Sequence, residues 1–235
     1  GAIHVGLNDS ALQRIATDTN ISKASIRDLP IVIAKKMSAA TTVPATSHIA
    51  HSAGIAIFAT GGLGGVHRGA QETWDESADL HSLANIPVMV VSAGAKSILD
   101  VAATLERLET LSVPIIGFQT NKFPGFYLSD SGFELEYRAD SPGEIAKIWS
   151  ARYQAKITQS GMVIANPVAR QMDPALHAKT LADGLAAAER EHIKGKAVTP
   201  FLLEYFHSHT NGESLRVNIE IIKSNAALAA QIAVA

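Results

Sequence analysis

Pro87-Val88-Met89-Val90-Val91-Ser92-Ala93-Gly94-Ala95-Lys96-Ser97 is the stretch on which the fold turns. Its apolar half is short, rich in valine and preceded by proline, so it reads as a buried strand. It then runs through a string of very small residues into a lysine and a helix start. Ser97, with Asp100 three positions on, fits a capping box opening a helix through Ile98 to Leu105. Lys96 therefore stands at the carboxyl end of a strand, beside a positive helix terminus. Desolvation and the helix dipole both favour its neutral amine. A neutral amine is what a nucleophile needs to form a Schiff base with a carbonyl. The same residue also reads as a snorkelling surface lysine or as one half of an ion pair.

Working outward, strand-like runs recur at Ile55 to Ala59, Val113 to Gly117 and Met162 to Ala165, and Ile3 to Leu7 reads as a further strand. Helical patterns occupy Pro44 to Ala53, Ser97 to Leu111, Ser141 to Lys156, Pro174 to His192 and Ser214 to Val234. Alternation of short apolar strands with amphipathic helices predicts an α/β fold with a largely parallel central sheet covered on both faces. No linker, repeat or low-complexity segment interrupts it, so the 235 residues read as a single domain. In such sheets, sites gather at the carboxyl ends of the strands. Three of those ends carry polar or glycine-rich sequence: Thr60 onward, Ser92 to Lys96, and Asn166-Pro167.

Composition narrows the chemistry. A hydrophobic fraction of 47% against 18% charged residues supports a substantial core. A net charge of −2 provides no basic field for nucleic acid or an anionic membrane, so neither is expected as a partner. The absence of cysteine excludes disulfides, zinc–thiolate sites, iron–sulfur clusters and cysteine nucleophiles. No apolar run is long enough to span a membrane and no signal-peptide pattern opens the chain. The expected location is therefore the cytoplasm, or an organellar matrix in a eukaryote, rather than the exterior.

Other stretches carry candidate chemistry. Thr60-Gly61-Gly62-Leu63-Gly64-Gly65-Val66-His67-Arg68-Gly69 lets backbone amides approach an oxyanion, with His67 and Arg68 adding charge. It is neither a Walker A sequence nor a dinucleotide fingerprint, and a plain loop explains the glycines as well. In the acidic segment that follows, Asp75 and Asp79 are four apart and share a face if the segment is helical. Such carboxylates suit Mg or Mn, or simply a solvated turn. His48 and His51, three apart on a helix, read as a metal pair or as ordinary surface histidines. Trp74 and Trp149 read as packing residues.

Taken together, Lys23 to Pro30, Ala40 to Val43, Phe58 to Ala70, Asp75 to Leu80, Ala93 to Asp100, Val163 to Pro167 and Gly195 to Leu203 resemble, in order along the chain, the pseudouridine-5′-phosphate glycosidases, also called the indigoidine synthase A family. The resemblance implies an α/β/α sandwich, a homotrimer, a divalent metal, usually Mn2+, and reversible cleavage of the C–C glycosidic bond of pseudouridine 5′-phosphate to uracil and ribose 5-phosphate. It implies Lys96 as the nucleophile that forms the Schiff base and Asp75 as the metal ligand. It further implies Lys23, Val43, Ser77, Ala78, Asp79 and Asn218 as substrate-binding positions. The family carries a segment ahead of the stretch matching Ile3 to Leu7, with a glutamate that donates a proton. This sequence has no counterpart to it, so the 1–235 domain is expected to be N-terminally incomplete relative to the family. A non-catalytic homologue that binds a sugar phosphate or a partner subunit is the alternative, and a class I aldolase-like lyase using the same lysine is a third reading.

Overall fold

The computed structural model describes residues 1–157, 159–193 and 195–235. Along the chain lie helix α1 (Asp9–Thr17), strand β1 (Ser22–Ala24), α2 (Leu29–Ala34), β2 (Ala39–Thr41), α3 (Val43–Ser52), β3 (Ile57–Ala59), α4 (Ala70–Thr73), α5 (Ala78–Asn85) and β4 (Met89–Ser92). They are followed by α6 (Val101–Thr110), β5 (Ile115–Phe118), β6 (Tyr137–Ala139), α7 (Pro142–Gln154), β7 (Met162–Ala165), α8 (Pro174–Arg190), α9 (Val198–His209) and α10 (Glu213–Ala233).

Five parallel strands form the central sheet in the order β3-β4-β7-β5-β6, and β1 pairs with β2 in a separate parallel ladder. All four residues of β4 and of β7 are buried. This is why both read as continuous apolar runs: a strand covered on both faces has no side to leave polar. The pleat then sorts them by parity. Met89, Val91, Met162 and Ile164 face Ile145 and Trp149 of α7 and Leu228, Ala229 and Ile232 of α10. Val90 and Val163 face Leu80 and Leu83 of α5 and Leu108 of α6. Two helical layers on one sheet make the expected α/β/α sandwich. A third cluster, built by α8, α9 and the first half of α10 with Phe126 and Tyr127, closes the carboxyl end of the sheet.

Local sequence explains where the helices begin. Ser141 caps α7 by accepting from the Glu144 amide, with Pro142 at the first turn. Asp173 and Pro174 do the same for α8. Asp100 caps α6, accepting from the Ala103 amide at 3.0 Å.

Several expectations are corrected. Ile3 to Leu7 is not a strand: Ile3, Val5 and Leu7 are exposed, and among the described residues the stretch pairs with no strand. An isolated extended segment leaves its amides and carbonyls to water and gains nothing from its apolar side chains. The helix after Lys96 opens at Val101, not Ser97, because Asp100 is the cap and residues 97–100 form a turn. Lys96 is thus not at a helix terminus. Asp75 and Asp79 share no helical face, since α5 starts at Ala78. Trp149 does pack in the core, but Trp74 is 86% exposed in a left-handed conformation at the end of α4. β1, β2 and β6 have only three residues each, too few for periodicity to register.

Candidate active site

The glycine-rich loop leaves β3 and continues to pair with the chain that leaves β4. The Thr60 amide donates to the Val91 carbonyl, Ala93 to Gly61, Leu63 to Gly94, and Lys96 to Leu63. Leu63 and Ala95 form a parallel bridge. Two backbones this close leave little room for side chains, which accounts for the run of glycine and alanine in both. At Gly64 a Cβ would collide with Ser77 Oγ and reach within 3.0 Å of Asp79 Oδ2. Without one, the Gly64 amide donates to that Asp79 oxygen at 2.7 Å.

Lys96 lies in this double-backbone seam, partly buried, and its Nζ donates to the Gly62 carbonyl at 3.0 Å. Burial pushes its ammonium below the usual lysine value. The Asp79 carboxylate opposes that shift and the Lys23 ammonium adds to it. The neutral amine expected from the sequence is therefore favoured, but by burial and Lys23 rather than by a helix dipole.

Most of the sequence-predicted positions converge here. Ser77 caps α5 and accepts from the Asp79 amide at 3.2 Å. Asp79 is 6% exposed beneath the glycine loop. Asn218, on α10, points its Oδ1 at Gly61, beside the Phe126 ring. Lys23 on β1 is exposed but close enough to act on Lys96 electrostatically. Val43 opens α3 directly after β2, where the Thr42 amide and hydroxyl donate to the Ala24 carbonyl and bring it alongside the Lys23 strand. Ala78 is exposed at the first turn of α5.

Asp75 is set apart. Its Oδ2 lies 3.9 Å from His67 Nδ1, and it lines a neighbouring groove with Arg68, Ile98 and Glu189. Among the described residues nothing donates to its carboxylate, and no cluster of three or more histidine and carboxylate groups occurs. That includes His48 and His51, which are both exposed on α3. A single carboxylate with open lone pairs suits a cation that keeps most of its waters. Arg68 keeps its charge beside that groove: its guanidinium donates to the Ile98 and Ser97 carbonyls at 3.2 and 3.4 Å, which leaves further N–H groups for an anion.

Sequence reasoning missed a buried amide pair. Asn166 Nδ2, after β7, donates to Asn225 Oδ1 at 2.9 Å, and Asn225 Nδ2 donates to the Thr60 carbonyl at 2.7 Å. The pair ties α10 to the ends of two strands. The signal was present: Asn225 falls in line with Ile221, Leu228 and Ile232 on the buried face of α10. A polar residue within an apolar stripe marks a specific partner.

Comparison with known proteins places this geometry. A family model described as indigoidine synthase A-like protein matches residues 1–235. The pseudouridine-5′-phosphate glycosidase of Salinispora tropica is 56% identical over 237 residues, covering 100% of this chain and 73% of its own length. That of Frankia alni is 52% identical, covering 100% of this chain and 65% of its own. Among solved structures, a prealnumycin C-glycosynthase in complex with ribulose 5-phosphate superposes with a TM-score of 0.89 at 34% identity, over 97% of this chain and 75% of that one.

Proposed function

Because the chain belongs to the indigoidine synthase A-like family, we propose that it cleaves the C–C glycosidic bond of pseudouridine 5′-phosphate, reversibly, to uracil and ribose 5-phosphate. The observation that carries this reading is Lys96: a partly buried amine, held below its usual pKa, at the junction of two strand ends in a seam that also gathers Asp79, Ser77 and Asn218. The glycosidases among the chain's relatives and the sugar phosphate in complex with the solved neighbour point the same way. They favour a catalytic role over a binding-only one.

A carbon–carbon bond to uracil offers no leaving oxygen or nitrogen to protonate. In the proposed reaction Lys96 Nζ bonds to C1′ as the ribose ring opens. A proton then enters uracil C5, the nitrogen lone pair forms the C1′=N bond, and the electrons of the broken C1′–C5 bond return to the uracil ring. Hydrolysis of the Schiff base frees ribose 5-phosphate. The proton at C5 needs a general acid, which the family resemblance assigns to the glutamate of the upstream motif. Lys23 offers the cation for the 5′-phosphate, with Val43 beside it. Ser77, Ala78, Asp79 and Asn218 contact the substrate. Asp75 would hold Mn2+, which supplies positive charge against the substrate's oxygens when bound.

The family resemblance also carries a homotrimer, and the exposed Leu12, Ile31, Ile33 and Met37 of the first two helices and the turn after them offer apolar surface for subunit contact. No helix among the described residues is long and apolar enough to cross a membrane, in keeping with a cytoplasmic setting.

The test is uracil release from pseudouridine 5′-phosphate with added Mn2+, for the full natural chain and for Lys96→Ala. Release that is lost in the variant supports the reading. Release that survives in a folded Lys96→Ala protein refutes the lysine mechanism, and no release from the parent refutes the activity.

A further inference from the structure

The turn that follows Lys96 is gripped from outside the seam. Ser97 Oγ and His177 Nε2 are hydrogen-bonded at 2.7 Å across 80 residues of sequence. Both residues are buried, at 9% and 5% exposure. His177 sits in the first turn of α8, with its ring 5.3 Å from that of Phe206 and 6.4 Å from that of Tyr127. Both rings are themselves buried and stacked on each other at 5.2 Å. The imidazole is therefore fixed by aromatic packing before it meets Ser97. On the other side of the same turn, Arg68 donates to the Ser97 and Ile98 carbonyls. The turn closes on itself where the Leu99 amide donates to the Lys96 carbonyl at 3.0 Å.

We propose that His177 is a positioning residue for Lys96, acting through Ser97. It has no contact with the amine or with the proposed substrate site. Its effect is to pin the Ser97 side chain at the start of the turn, so that the Lys96 backbone cannot rotate and its Nζ stays in the seam at Gly62. A long, flexible lysine side chain is a poor nucleophile unless its base is fixed, and a displacement of about 1 Å from a productive geometry costs up to about a hundredfold in rate. Burial also keeps the His177 imidazole neutral, which preserves the short bond to a neutral hydroxyl. The same bond couples the α8–α9 layer to the seam between β3 and β4, because α8 supplies His177 and α9 supplies Phe206.

This inference rests on Lys96 as the nucleophile, so the experiment separates the two. The full natural protein is incubated with ribose 5-phosphate and borohydride, and the adduct at Lys96 is followed by peptide mass. No adduct in the parent overturns the role of Lys96 and the positioning role with it. Given an adduct, trapping rate, kcat, KM and thermal midpoint are measured for His177→Phe, His177→Gln, Ser97→Ala and the His177→Phe/Ser97→Ala pair. His177→Phe keeps the ring packing and removes only the bond. The expected result is a trapping rate and kcat about ten- to a hundredfold lower in His177→Phe and Ser97→Ala. KM should be little changed, His177→Gln should partly recover the rate, and the double variant should be no slower than either single. A wild-type trapping rate in folded Ser97→Ala, or losses that multiply in the double variant, would overturn the proposal. A fall in thermal midpoint alone, at normal trapping rate, would do the same by reducing His177 to a packing residue.

Discussion

At the scale of single residues, the structure holds one amine in a state that costs stability. The Lys96 ammonium is pushed down by burial, so the unfolded chain binds its proton more tightly than the native one. Stability contributed by this group therefore rises with pH between the lowered native value and the ordinary lysine value. Below that window the penalty is present in full. Lys96→Met is accordingly expected to raise the thermal midpoint at pH 7 while abolishing activity, and to flatten the alkaline rise seen by urea titration at several pH values. The neighbours set the sign of a second expectation. Lys23 lowers the Lys96 value, so Lys23→Met should shift the pH dependence of borohydride trapping to higher pH. An unchanged profile would show that Lys23 acts on phosphate alone. Lys96 was legible in the sequence because strand, small residues and lysine followed one another. Burial, the first cause of its depressed pKa, was legible with it; the part played by Lys23 was not, since Lys23 reaches Lys96 only through the fold.

At the scale of elements, the seam between the loops after β3 and β4 depends on glycines that have no room for a Cβ. Gly94 has φ of +75°, and a Cβ there would collide with the Pro124 carbonyl oxygen. Gly94→Ala combines a left-handed backbone penalty of about 1–2 kcal/mol with that collision. It should leave little folded protein by circular dichroism. Asp100→Ala removes only the α6 cap and is expected to cost about 1 kcal/mol with activity largely kept. The contrast separates the seam, which carries the site, from the helix behind it. The glycine-rich loop was visible in the sequence, but its function as the partner of the Lys96 stretch was not: the hydrogen bonds that join them run between segments some thirty residues apart. The helix boundary illustrates the same limit. Ser97 reads as the cap in sequence, with Asp100 as its box partner; in the fold Ser97 Oγ is bonded to His177, and Asp100 accepts from the Ala103 amide as the cap of α6.

At the scale of the whole molecule, α10 locks the sheet. It packs on β3, β4 and α7 and places Asn225, 1% exposed, between the Thr60 carbonyl and Asn166. Asn225→Leu would leave the partly buried Thr60 carbonyl without this donor and Asn166 Nδ2 with only Ser224 Oγ. The expected loss is about 2–3 kcal/mol, or a fall of roughly 4–12 °C in thermal midpoint for a chain of this length. Leu83→Ala, in the opposite layer, should cost about 2–5 kcal/mol; Leu83 is none of the proposed substrate positions, so its specific activity should hold at temperatures where it remains folded. Strands β3, β4, β5 and β7, the longer helices between and after them, the two-faced parallel sheet and the placing of Lys96 at its carboxyl edge followed from the sequence. These depend on periodicity and on burial, which are local properties of a run of residues. The pairing of the two glycine- and alanine-rich loops, the exposure of Trp74 and the hold of His177 on Ser97 were decided only by the tertiary structure. Each depends on which distant backbone comes within a few ångströms, and the packing of helices on both faces of the sheet sets that distance.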